Sequence, residues 1–235
     1  MGSSWNEAHP SRFATSCLTR QASPPGTSYR YDGNAFGALT RVVEGVTGQS
    51  FAKNLEDRII RPLGLVHTRP STGDARDFAQ GYARAWGRSI WPTGLFGPMR
   101  ALPHGFELST TAGLLASAPD VARFSIALDQ GRLLNDSTKA LAWTPALAQG
   151  GKPLPYALGW FVQDIQEHQV IWHYGHAYES SSLIVKLPME RVTFVILANS
   201  DGLSRWRRLG DSADVRRSPA ATLFMNWHLA NEVRR

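Results

Sequence analysis

An α+β fold is predicted for this chain from three observations: helical periodicity in its first part, a switch to short β-branched runs from Tyr156 onward, and an apolar helical segment closing the chain. Residues 1–23 carry no period, since His9, Pro10, Arg12, Arg20 and Ser23 interrupt any apolar face, and they read as an irregular lead-in. Pro24, Pro25 and Gly26 then mark a turn, because proline presets φ and glycine admits the positive φ of a tight reversal. After Asn34, a fair N-cap, Phe36, Leu39, Val42 and Val43 recur at three- and four-residue spacing, predicting a helix that ends near Gly48. Ser50 can cap a second helix that turns Phe51, Leu55, Ile59 and Ile60 inward and stops near Pro62 and Gly64.

Thr68 to Gly105, rich in Gly, Pro, Arg and Trp, has no sustained period and reads as a functional loop carrying Trp86 and Trp91. Ala118-Pro119-Asp120 opens a helix with Val121, Phe124 and Leu128 on its buried face and Gly131 at its end, and Asn135 to Ala142 forms one more. These helices and the loop make up a helical region over 24–145. In 146–235 the runs YALGWFVQDI, HQVIW, SSLIVKLP and RVTFVILANS are successive antiparallel strands, the last two joined by a Pro188-Met189-Glu190 hairpin. Val192 to Asn199 is apolar almost throughout, which predicts a central strand covered on both faces. Pro219 to Val233 places Leu223, Phe224, Trp227 and Leu229 in a helical pattern that could lie across the sheet.

Composition excludes several function classes. With 235 residues, 43% hydrophobic and 10% aromatic, the chain can build a core, and its single cysteine, Cys17, rules out an intrachain disulfide or a multi-cysteine metal site. The net charge of +6 is spread over late arginines without a reading helix, zinc finger or RNA-binding pattern, so no nucleic-acid partner is expected. No signal-like start and no membrane-spanning run is present, which leaves the cytoplasm as the default compartment.

Two places carry candidate chemistry. Tyr31 lies just after the Pro-Gly turn, where its residue type alone reads as a buried tyrosine with its hydroxyl on a carbonyl. Trp172-His173-Tyr174-Gly175-His176 falls between two strand runs. His173 and His176 are too few for a metal and fall on opposite faces of a strand, so no metal and no cofactor is expected. The one Ser-x-x-Lys in the chain, Ser50-Phe51-Ala52-Lys53, is explained as a cap and an exposed charge.

Taken as an ordered set, Pro-Gly-Thr before Tyr29 and Tyr31, then Val-Val-Glu, Val-Thr-Gly-Gln, Arg-Pro-Leu-Gly-Leu and His173-Tyr174-Gly175 resemble the serine β-lactamase-related hydrolases. That family includes class C β-lactamases, penicillin-binding D-alanyl-D-alanine peptidases and esterases of the same fold. The resemblance implies a β-lactamase/transpeptidase-like fold with a helical region, an antiparallel sheet and a closing C-terminal helix. It also implies hydrolysis of a small ester, amide or peptide through an acyl-enzyme.

Under it, Tyr31 falls on the Tyr-x-Asn tyrosine that helps deprotonate the nucleophile, with Gly33 where the motif has asparagine. His173 takes the lysine position of Lys-Thr-Gly. Gly175 lets the strand backbone approach substrate, and the His176 N–H forms half of an oxyanion hole. A free tyrosine titrates near pH ~10, so this role needs neighbouring cations. The family's Ser-x-x-Lys, expected upstream of Tyr31, is not in this sequence, which implies an N-terminally truncated, inactive hydrolase or, alternatively, a binding or scaffold domain on the same fold.

Overall fold

The computed structural model describes residues 26–70, 79–83, 99–100, 108–177, 179–204 and 209–232. The segment around Trp86 and Trp91 lies outside them. The first helix, α1, spans Gly33–Thr47, as the three- and four-residue spacing requires, and stops where Gly48 takes φ 66° and donates its N–H to the Glu44 carbonyl at 2.8 Å. Polar locks build the corner that follows. Glu44 reaches forward to accept the Phe51 N–H at 2.8 Å, and Ser50 Oγ accepts the Lys53 N–H at 3.2 Å. Buried Asn54 donates to Thr47 Oγ1, Gln49 O and Ser50 O. Helix α2 (Phe51–Leu55) then passes through a π-helical turn, Glu56–Ile60, into α3 (Arg61–Leu63), which ends at left-handed Gly64. The π turn inserts a residue that a strict 3.6 period does not anticipate, and of the inward-predicted set Ile60 is the one fully buried.

Strands β1 (Thr68–Pro70) and β4 (Leu114–Ala116) pair antiparallel, and β2 (Tyr82–Ala83) pairs with β3 (Met99–Arg100). Helix α4 (Ala118–Asp129) begins at the Ser117 cap. Its fully buried Asp120 accepts from the His67 N–H at 2.8 Å, Thr68 Oγ1 at 2.9 Å and Arg123 at 2.7 Å, fastening the helix to β1. Burial alone would raise the Asp120 pKa, but these donors outweigh it and the carboxyl sits below the ordinary range. Helix α5 is Asp136–Ala142, capped by Asn135.

The main sheet runs in the order β5 (Phe161–Ile165), β6 (His168–His176), β7 (Ser181–Leu187), β8 (Val192–Ala198), all antiparallel. One face carries the core: Phe161, Trp172, Leu183 and Val185 pack with Leu209 of α6 (Leu209–Ser212), with Val215, and with Ala221 and Met225 of the closing helix α7 (Pro219–Glu232). Phe224 of α7 stacks on Phe194 of β8 at 4.9 Å. Two expectations need correction. Among the described residues β8 is an edge strand, not a central one, because an apolar run reports burial but not which strand lies alongside. In α7, Leu223 and Trp227 are 73% and 66% exposed, and Ala221 and Met225 face the sheet in their place.

The opposite face of β7 holds a buried cation. Lys186 is 1% exposed and donates to Asp129 Oδ2 at 2.9 Å, Thr193 Oγ1 at 3.1 Å and Ser125 Oγ, so all three ammonium protons have acceptors and α4 is tied to β7 and β8. Burial lowers the Lys186 pKa, and the hydrogen bond and charge of Asp129 oppose that. Lys186→Ala should therefore cost roughly 3 kcal/mol by orphaning these acceptors, and Lys186→Met much less, because it refills the volume without a charge. Urea denaturation of the two variants checks this, and equal losses would show that packing alone is at work.

Candidate functional site

Strand β6 continues past its neighbour. Its pairing with β5 stops at Phe161↔Trp172, where the chain turns off through Gly159 at φ 83° and the Ala157 N–H bonds the Trp160 carbonyl at 2.7 Å. Beyond that point β6 pairs with β7 alone, through His176↔Ser181. The bond from the Ala177 N–H to the Ser180 carbonyl closes the β6–β7 hairpin and sets the alternation, so the backbone groups of His173 and Gly175 point toward β7. Those of Tyr174 and His176 point to the side β5 has left. The motif therefore lies on a strand rather than between strands, along a stretch with one open edge.

Aromatic rings gather at that edge. Tyr31 lies with its ring centroid 6.1 Å from His173, 5.5 Å from Tyr174 and 5.7 Å from Phe161, on which it stacks. The two sequence-predicted side chains, Tyr31 and His173, are thus neighbours. Tyr29 stacks on Tyr156 at 6.0 Å and donates its hydroxyl to the Gly210 carbonyl at 3.3 Å, and Phe36 of α1 meets Tyr156 edge-on at 5.9 Å. Gly210 is there because nothing larger fits: a Cβ would come within 2.3 Å of the Tyr174 hydroxyl and 3.1 Å of the Tyr31 ring.

His173 has no free nitrogen. Its Nδ1 lies 2.8 Å from the Tyr174 carbonyl and its Nε2 2.9 Å from the Tyr156 hydroxyl. A carbonyl only accepts, so the proton sits on Nδ1, and Nε2 accepts from Tyr156. The ring is half-buried by surface, yet both nitrogens face protein, and burial pushes its pKa down to about 4, opposed by the Tyr174 carbonyl. Burial likewise raises Tyr31 above the ordinary tyrosine range, opposed by a hydrogen bond from Tyr174, and raises Tyr29, Tyr156 and Tyr174. Near neutral pH the cluster is made of neutral phenols around a neutral imidazole, and His173 supplies no positive charge to Tyr31.

The other predicted residues take different places. A Cβ on Gly175 would meet Ser182 Oγ at 2.3 Å, so the space this glycine leaves is used by the neighbouring strand. The His176 side chain turns away from His173 and its Nδ1 bonds Ser204 Oγ at 2.8 Å, while its backbone lies on the open side. Gly33 opens α1 and its carbonyl accepts from Thr111 Oγ1 at 2.9 Å; the Asn34 side chain is outside the described residues. Ser50 is exposed and occupied as a cap, with Lys53 paired to Asp57. Sequence reasoning missed Tyr156, Tyr174, Tyr29 and Gly210. Only Tyr156 left a usable signal, since it precedes the run that pairs with the His173 strand. Among the described residues no group of three His, Cys, Asp or Glu could hold a metal, and no helix is long and apolar enough to cross a membrane.

A helical region set against an antiparallel sheet, with a tyrosine brought to the open edge of a His-x-Gly strand, defines a β-lactamase/transpeptidase-like protein. The Beta-lactamase family profile matches residues 11–214, and the chain belongs to that family. It is 26% identical over 196 residues to the unguisins hydrolase ungD' of Aspergillus campestris, covering 77% of this chain and 35% of that protein. It is also 26% identical over 182 residues to a D-aminopeptidase of Gluconobacter oxydans, covering 74% and 32%. The chain thus spans about a third of the length of these curated relatives. Among solved structures, the D-amino acid amidase of Ochrobactrum anthropi with D-phenylalanine aligns with a TM-score of 0.65 at 18% identity, over 91% of this chain and 61% of that one, a likeness of fold.

Because the folded-state pKa of His173, about 4, lies below its ordinary 6.5, the neutral ring contributes stability that is fully present above pH 6.5 and is lost as pH falls toward 4. The difference in urea midpoint between the wild type and His173→Gln should shrink across that window. In Tyr156→Phe the Nε2 donor is gone, so the His173 pKa read by NMR should rise; an unchanged value would contradict the assigned tautomer. Gly210→Ala should cost about 1–3 kcal/mol by displacing Tyr174 and Tyr31, measured as a drop in thermal midpoint and altered tyrosine fluorescence.

Proposed function

We propose that this chain supplies the substrate-facing wall and the tyrosine of a serine acyl-transfer hydrolase acting on a small ester, amide or peptide, and that by itself it does not form an acyl-enzyme. The observation that carries this reading is the placement of Tyr31, from the helical region, against His173 at the open edge of β6. In such a site a serine oxygen attacks the substrate carbonyl carbon while a base takes the hydroxyl proton and passes it to the departing amine or alcohol. Water then repeats the attack on the acyl-serine. Strand N–H groups at Tyr174 and His176 face the side where a substrate chain would lie, as oxyanion donation requires.

Tyr31 has the position of the base but not its charge. Its phenol is raised by burial, and a tyrosine works as a base near neutrality only beside a cation. Ser50-x-x-Lys53 supplies neither partner, being an exposed cap whose lysine is paired to Asp57. The names of the relatives, a D-aminopeptidase and a hydrolase of unguisins, support amide or peptide bonds as the substrate class. A second reading, a binding or scaffold domain on this fold, is favoured by the occupied His173 nitrogens and by Gly33 at the motif asparagine.

Incubation of the purified chain with a fluorescent penicillin and with a fluorophosphonate, read by intact mass, should give no covalent adduct, and Ser50→Ala should behave identically. A stoichiometric adduct that Ser50→Ala abolishes would overturn the proposal. Saturable binding without an adduct would favour the scaffold reading.

A further inference from the structure

The four phenols of the aromatic corner differ in where their hydroxyl protons go. Tyr29 donates to the Gly210 carbonyl at 3.3 Å, and Tyr156 donates to His173 Nε2 at 2.9 Å. Tyr174 donates to the Tyr31 oxygen, a bond that favours the phenolate of Tyr31 and opposes that of Tyr174. Tyr31 is thus the acceptor of the group, and among the described residues no acceptor holds its own proton.

Gly210 makes room for this pairing. A Cβ there would lie 2.3 Å from the Tyr174 hydroxyl and 3.1 Å from the Tyr31 ring, so both tyrosines close on the same bare Cα. Their ring centroids are 5.5 Å apart, with the planes tilted by 43°. Tyr31 stacks on Phe161 at 5.7 Å and Phe161 on Trp172 at 4.2 Å, so the accepting ring is backed by the core. Tyr174 falls where the Lys-Thr-Gly triplet has threonine. A threonine hydroxyl sits one bond from Cβ, whereas a tyrosine carries its hydroxyl clear of the strand, far enough to meet a ring delivered from the helical region.

The charges around the corner single out the same phenol. Asp211 of α6 opposes ionisation of Tyr29 and Tyr174, and a charged Tyr31 opposes that of Tyr29, Tyr156 and Tyr174. At Tyr31 burial alone stands in the way. His173, neutral with both nitrogens occupied, adds no positive charge. Arg30, between the two inward tyrosines, is exposed and Asp32 half-buried, and neither is among the groups that act on Tyr31.

We propose that Tyr174 is a positioning residue for Tyr31: by donating its hydroxyl to the Tyr31 oxygen, it makes Tyr31, alone of the four phenols, the one able to serve as the phenolate base. The inference rests on the reading of Tyr31 as the base of an acyl-transfer site. Tyr174 does not stand in for a cation; it decides which phenol a cation would ionise. A proton drawn from a nucleophile would pass to the Tyr31 oxygen, and the Tyr174 hydroxyl would keep its own throughout.

The test is a titration of the full chain with 3,5-difluorotyrosine at all six tyrosines. Fluorine withdraws electrons from every ring alike, which brings the phenols into a pH range where the fold is intact, and 19F NMR with Tyr→Phe assignments reads each one. Of the four, Tyr31 should ionise first. Tyr174→Phe keeps the ring and removes the donor, and should make Tyr31 about tenfold less acidic. Tyr29→Phe removes a neighbouring phenol but no bond to Tyr31, and should leave it within about twofold. A merely structural role for Tyr174 predicts the opposite sign, since loosening the corner admits water and eases ionisation. An unchanged or more acidic Tyr31 in Tyr174→Phe, an equal effect of Tyr29→Phe, or another of the four ionising ahead of Tyr31 would overturn the proposal. Should Tyr174→Phe fail to fold, the order of ionisation in the unaltered chain decides. None of these readings needs an acyl-enzyme, so an adduct at Ser50 would remove the assignment of the site while leaving the titration order as it is.

Discussion

Everything at the site follows from one offset: β6 runs on past Trp172 after β5 has turned away at Gly159. An antiparallel strand with a neighbour on only one side presents every second residue's N–H and C=O to whatever lies beyond. Because side chains alternate with the same period, the overhang sends His173 and Tyr174 to opposite faces of the sheet. A ring set in the plane of the missing neighbour can then touch both, and Tyr31 does so. The segment from Gly26 into α1 delivers Tyr31 to that place, and Gly210 leaves room for it. Had β5 been longer by two residues, the same sequence around His173 would have been an interior strand with no edge to offer.

The rings that fill this corner impose a low-dielectric setting. Four phenols and an imidazole share it, and burial moves every one of them toward its neutral form: the tyrosines upward, His173 down to about 4. For Tyr29, Tyr156 and Tyr174 the neighbouring phenols add to the effect of burial, whereas the hydrogen bond from Tyr174 partly relieves it at Tyr31. A corner built in this way is stable while uncharged and responsive to an added cation, because a positive charge brought near Tyr31 would act through a medium that screens poorly. Among the described residues Tyr31 lies beside His173, and no cation is there to draw its proton.

Much of the architecture was legible because it rests on local periodicity. The spacing of Phe36, Leu39, Val42 and Val43, the cap at Ser50, and the hairpin at Pro188-Met189-Glu190 each act within a few residues, so sequence suffices. Failures came where the outcome depends on a distant partner. Val192 to Ala198 states its hydrophobicity but not whether a strand lies on each side, and an equally apolar α7 does not say which of its faces meets the sheet. At the site, the resemblance put Tyr31 and His173 in one family site, and their rings lie 6.1 Å apart. The bond that ties up His173 Nε2 comes from Tyr156, whose one sequence signal is its place just before the run that pairs with β6. Gly175 was read as making room for a ligand, whereas the atom in that space is Ser182 Oγ, a cross-strand neighbour visible only once the register is known.

The helical region and the sheet are joined by polar clamps as well as by the aromatic contacts of Tyr29, Tyr31 and Phe36. Asp120 gathers His67, Thr68 and Arg123 at the start of α4, and at its other end Ser125 and Asp129 hold Lys186 with Thr193. Apolar contact tolerates sliding, but a buried ammonium with all its protons assigned does not, since any shift leaves a charged group short of an acceptor in a poorly solvated place. Helix α4 is thereby pinned at both ends, one to β1 and the other to the back of β7 and β8. The front of the same sheet carries Trp172 and Tyr174, so the position of the aromatic corner relative to the helices is set from behind. The Lys186 clamp touches none of the site residues, but it fixes the back of the sheet whose β6 carries His173.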